Sequence, residues 1–144
     1  MSRHGLREQL FKLVFRVEYH PAEDMPEQED LFIGSTSEDK SITETDREEI
    51  REKFDDIIKN LPEIDKVISD SAKDWSIERI GKVELAVLRV AVYEMLYDIS
   101  VPVGVAINEA VDLAKSYGED GSGSFVNGVL AGVFKGDNNI KDGE

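Results

Sequence analysis

The amino-acid sequence predicts an all-α protein of six to seven helices arranged as two small helical bundles packed together. Two observations carry that prediction. Apolar residues recur three and four positions apart through most of the chain, and the many β-branched residues keep this spacing instead of alternating as strands require. Start and stop signals also bracket the periodic stretches: Thr45 with Glu48 forms a capping box, Pro62 suits a first helical turn, and "GEDGSGS" suits a turn between helices.

The elements follow in order. Leu6, Leu10, Leu13, Val14 and Val17, with Ser2 as cap, predict a helix over about residues 3–19. Residues 20–44 mix prolines, acids and serines and read as a loop, tethered to the core by "DLFI". Ile50, Phe54, Ile57, Ile58 and Leu61 predict a second helix starting at the Thr45 box. A short third helix follows Pro62, with Ile64, Val67 and Ile68 facing inward, and Trp75, Ile77 and Ile80 anchor the next turn. "KVELAVLRVAVYEML" is apolar on most of its circumference, as a central buried helix is. "VPVGVAINEAVDLAKSY" carries one stripe of Ala106, Ala110, Leu113 and Ala114. A last helix runs from about Ser122 to Phe134, and residues 136–144 read as a flexible tail. Residues 1–135 are read as one domain, with subdomains over about 1–73 and 74–135.

The charge balance narrows the partners. A net charge of −14 over 144 residues argues against a general polyanion binder. The balance is uneven: residues 1–20 hold four basic groups and two acids, whereas residues 21–63 hold fifteen acids and five bases. This fits either a lopsided solvated surface or two different partners. With no cysteine, disulfides and thiolate metal sites are excluded, and a reducing, cytoplasmic setting fits. No stretch of 18 or more apolar residues exists, so no membrane partner is expected.

Catalytic patterns do not emerge. The two histidines both fall in the first 20 residues, and no dinucleotide or phosphate loop, HExxH or paired Glu-x-x-His is found. No cofactor and no metal are expected, and the role predicted is binding, not catalysis. Two features exceed what helix packing alone would choose. Glu84 falls in the apolar sector of its helix beside Val87, Leu88 and Ala91, either to meet the helix dipole or to receive a cationic partner. Lys82, Arg89 and Tyr93 share another sector, as a solvated or an ion-paired strip. In the last helix Val126, Val129, Leu130 and Val133 form a core side, while Ser124, Gly128, Ala131 and Gly132 form a small side. That small side admits a neighbouring helix, a second subunit or a ligand. Phe125, in the first turn, is suited to stack on an unpaired base.

"VPVGVAINEAVDLAKSYGEDGSGSFVNGVLAGV" resembles the C-terminal signature of the NusB family of bacterial transcription antitermination factors. It couples a proline, an "INEAV-LAK" helix and an "S--FVNGVL" helix in order. "KVELAVLRVAVYEML" and "SRHGLREQLFKLVF" resemble the family's central and first helices, so the similarity spans about residues 2–135.

The resemblance implies two helical subdomains and a non-enzymatic role. The chain would bind the boxA element of nascent ribosomal RNA as a single strand, jointly with the small-subunit ribosomal protein NusE. In the RNA polymerase antitermination complex it would support processive transcription of ribosomal operons. Some family members are dimers, which leaves monomer or homodimer open. By position, the resemblance makes Arg3, Arg7, Gly121, Ser122 and Phe125 RNA-binding residues, and Phe15, Glu78 and Glu84 contacts to the ribosomal protein. The first helix departs from the family pattern at His4, where arginine is common. The alternative reading is an acidic helical protein-interaction module with no RNA role.

Overall fold

A computed structural model describes residues 1–73 and 75–136, and the tail expected over 136–144 lies outside these apart from Gly136. The described residues are helical, with no strand among them: α1 (Arg3–Phe15), α2 (Met25–Ser35), α3 (Glu44–Lys59), α4 (Leu61–Ser71), α5 (Lys82–Tyr97), α6 (Val103–Tyr117) and α7 (Ser122–Gly136). Short 3-10 turns occupy Arg16–Tyr19, Ala22–Asp24 and Ile77–Arg79. The chain divides into two compact units between Lys59 and Asn60, not near residue 73, because α4 packs on α5 and α7.

In the first unit, Ser2 caps α1 by accepting a hydrogen bond from the Gly5 backbone N–H at 2.9 Å. The α-helix ends at Phe15 and tightens into a 3-10 turn, instead of running on to residue 19 as expected. Leu6, Leu10, Leu13 and Val14 are buried, and α1 packs on α3, whose Ile50, Phe54 and Ile57 are also buried. The expected loop over 20–44 contains α2. Pro26 stands in its first turn, where a missing N–H costs nothing, and Met25, Glu29, Phe32 and Ile33 form its buried face. The capping box at α3 also moves. Thr43 Oγ1 accepts from the Asp46 N–H at 3.1 Å, and Asp46 Oδ2 accepts from the Thr43 N–H at 3.0 Å. The box is therefore Thr43 with Asp46, two positions before the expected pair, and Asp46 also receives the N-terminal ammonium at 3.2 Å.

In the second unit, α5 packs against α4, α6 and α7 and is buried continuously from Leu85 through Met95. Arg89 is 3 % exposed and meets Asp65 of α4 with two hydrogen bonds, of 2.9 and 2.8 Å. Its sector of α5 is thus ion-paired rather than solvated. The helices α6 and α7 approach closely at Gly123, where an added Cβ would meet Lys115 Cγ at 2.9 Å. The glycines of the small face behave differently. Around Gly128 nothing lies within 4 Å of an added Cβ, and at Gly132 such an atom would touch Ser71 of α4 at an ordinary 3.6 Å.

Candidate nucleic-acid interface

The second unit holds a cleft of about 290 Å³, and its floor is set by one turn. α6 ends at Tyr117, and Gly121 takes φ +90°, a left-handed conformation that favours glycine. That residue turns the chain into α7. Ser122 Oγ donates a hydrogen bond to Glu84 Oε2, tying the start of α7 to the first turn of α5. Phe125 donates its backbone N–H to the Gly121 carbonyl at 3.0 Å, and its half-buried ring faces the cleft. The ring meets Trp75 edge to face, with centroids 6.0 Å apart and planes at 76°. The Arg79 guanidinium lies over the Trp75 ring, 5.5 Å from its centroid.

Four of the residues singled out in the sequence therefore share this cleft: Glu84, Gly121, Ser122 and Phe125. Glu84 is half-buried, and the Ser122 hydroxyl gives its carboxylate a partner outside both sequence explanations. Its place in the first turn of α5 also suits the helix dipole. Glu78 is exposed in the 3-10 turn before α5.

Trp75 and Arg79 are site residues that sequence reasoning misses. The sequence makes Trp75 an anchor of the turn, yet it is 44 % exposed, and Ile80 fills that role at 3 %. Nothing periodic marks "WSIER"; its one signal is the chain's single tryptophan placed outside any helix.

The remaining candidates belong to the first unit. Arg3 is exposed on α1 and forms a two-pronged pair with Glu49 of α3, one arm at 3.1 Å. The guanidinium, helped by Lys53 at 3.1 Å, holds the Glu49 carboxyl below the usual carboxylate range. Arg7, one turn on, is only 7 % exposed. It is therefore a buried side chain, whereas spacing alone gives it the same status as Arg3. Phe15 is half-buried in a row of rings, 6.3 Å from Phe11 and 5.2 Å from Tyr19.

Two aromatic rings, a guanidinium, a hydroxyl and carboxylates thus line one cleft of an all-helical protein. Among the described residues no group of three His, Asp or Glu side chains could hold a metal ion, and no helix is long and apolar enough to cross a membrane. The chain belongs to the NusB family, whose sequence profile matches residues 4–135. The transcription antitermination protein NusB of Lachnoclostridium phytofermentans is 44 % identical over 134 residues, covering 93 % of this chain and 99 % of that one. The protein of the same name from Enterococcus faecalis is 33 % identical, covering 94 % and 90 %. Among solved structures, NusB of T. maritima superposes with a TM-score of 0.83 at 34 % identity, covering 94 % of this chain and 92 % of that one. A complex of the antitermination factors NusB and NusE with dsRNA contains a chain that matches with a TM-score of 0.78 at 30 % identity, covering 92 % and 96 %.

Proposed function

We propose that this chain is a transcription antitermination factor that binds boxA RNA of nascent ribosomal transcripts together with NusE. It would act in the cytoplasm, within the RNA polymerase antitermination complex. The observation that carries this reading is the half-buried Phe125 ring on a cleft in a chain of this family. A ring fixed at a helix start offers a stacking face to a base that is not paired. Gly121 in the turn beside it has open space where a side chain would stand, which leaves room for a base to come close.

Charge explains the need for a partner. A body of net charge −14 repels RNA, and salt confines that repulsion to about 10 Å at 0.1 M. Exposed Arg3 supplies local attraction, with Arg7 supporting it from within α1. A basic ribosomal protein docked through Phe15, Glu78 and Glu84 would neutralise acidic surface and extend the cationic track.

The test is a titration of boxA RNA into the chain with and without NusE, at two salt concentrations. Weak binding alone and binding at least about tenfold tighter in the mixture is expected, with both falling as salt rises. RNA binding that is absent even in the mixture would leave the acidic protein-interaction module as the reading.

A further inference from the structure

The cleft contains a pair that neither the family resemblance nor the sequence periodicity assigns. We propose that Trp75 and Arg79 form a second nucleotide-binding element, which holds the nucleotide next to the one stacked on Phe125. This rests on the single-stranded RNA reading above and adds a residue pair to it.

Three observations carry the proposal. Trp75 is a large apolar side chain left 44 % exposed on the cleft, where burial would otherwise be favoured. Arg79 lies on that ring rather than on a carboxylate, although Glu84, Glu119 and Asp120 line the same cleft. A guanidinium resting on an aromatic face can still offer N–H donors to a phosphate, and arginine suits two-pronged contact with phosphate oxygens. Finally, Trp75 and Phe125 stand at 76° to each other. Two bases stacked on planes so inclined cannot be stacked on one another. The element therefore suits a strand that bends at this point and excludes a continuous A-form duplex, whose successive bases are parallel.

The charge pattern fixes the direction of the nucleotide. Glu119 and Asp120 repel a phosphate from their side of the cleft, and Arg79 attracts it to the other. The phosphate thus belongs at Arg79 and the base at the indole.

Trp75 is the only tryptophan in the chain, so its emission reports the contact directly. The full chain with NusE would be titrated with a short single-stranded boxA RNA, and Trp75→Phe would serve as the blank for other emission. Expected are a saturable change in Trp75 emission and about tenfold weaker RNA binding in Arg79→Gln. The salt slope of Arg79→Gln should fall by about 0.7, the share of one phosphate contact on a single strand. NusE affinity, measured without RNA, should not change, which separates a lost RNA contact from a damaged fold. Unchanged emission at saturation, or wild-type affinity and slope in Arg79→Gln, overturns the proposal. If Phe125→Ala still lost RNA binding in that case, the RNA-binding reading would stand without this element. If the wild-type mixture bound no RNA at all, both would fall.

Discussion

In the second unit, α5 is buried from Leu85 through Met95; most of those side chains are apolar, and of its two buried charged groups, Arg89 and Glu94, the cation is matched by Asp65. In the first unit, α2 has four buried positions, and one of them is the carboxylate Glu29. Polar links surround that helix. Arg47 donates to the Thr36 hydroxyl at 3.0 Å and the Thr36 carbonyl at 3.1 Å, Arg51 pairs with Asp30 at 2.9 Å, and Arg16 binds Gln28 at 3.0 Å. Apolar burial contributes roughly 25 cal/mol per Å², whereas an exposed ion pair contributes about 0–1 kcal/mol. The second unit therefore rests on packing, and the α2 region on directional contacts that are individually weak and dependent on protonation and salt.

Truncation inside the two regions tests that contrast most strongly. Leu88→Ala, at a site with 0 % exposure, should cost about 4 kcal/mol, near the upper part of the range for buried leucines. Ile33→Ala on α2, at 7 %, should cost about 2 kcal/mol, because an edge site relaxes and admits water. Urea unfolding followed by far-UV circular dichroism measures both. Equal losses would erase the distinction between the regions.

The same contrast decides what can be read from the sequence. The core helices are legible because their apolar residues keep a helical period: Val126, Val129, Leu130 and Val133 are all buried as the wheel requires. α2 is hidden because Met25, Glu29, Phe32 and Ile33 form a helical stripe in which a carboxylate replaces the second apolar residue. With Pro26 present and seven acids among residues 23–39, the segment has the composition of a loop. The α3 cap is ambiguous because Thr43-x-x-Asp46 and Thr45-x-x-Glu48 fit one pattern two residues apart, and only contacts choose between them. At the site, Phe125, the Gly121–Ser122 turn and Glu84 are legible from the helix start and the resemblance. Trp75 and Arg79 are not, since an exposed ring in a turn has no period to betray it.

Glu29 sharpens the comparison through pH. Burial, a hydrogen bond with Asp55 and the Asp55 and Asp30 charges push its carboxyl from 4.5 up to about 7, with Arg51 opposing. The folded chain then holds a proton that the unfolded chain has released. The stabilisation is full below pH 4.5 and is lost as pH rises through about 7. Glu29→Gln mimics the protonated form. It should flatten this decline and raise stability at pH 8 by on the order of 2 kcal/mol, since each tenfold change in proton affinity is worth about 1.4 kcal/mol and relaxation around the charge returns part of it. Denaturant midpoints of the two proteins across pH 5–8 measure it. A parallel decline in both would show that α2 is not held by this proton, and would move the region closer in character to the second unit.

The smallest structural effect concerns the pair whose arginine the proposed RNA-binding reading uses. Glu49 is held ionised by Arg3 and Lys53, so its contribution has the opposite sign to that of Glu29: it is present above pH 4.5 and fades as pH falls through the lowered folded value. Both partners reach solvent, with Arg3 62 % and Glu49 28 % exposed, and Glu49→Gln should cost only about 0.5 kcal/mol. The effect on RNA should be of the other sign. In the wild-type chain a phosphate must draw Arg3 away from a carboxylate that already satisfies two of its N–H groups. With glutamine at 49 that competition weakens and one negative charge leaves the surface. RNA binding in the presence of NusE should tighten about threefold, with a steeper salt dependence. Unchanged RNA affinity in Glu49→Gln would mean that Arg3 is only a strut between α1 and α3. The cationic contribution to RNA binding would then have to come from elsewhere, with Arg79 at the Phe125 cleft the first place to look.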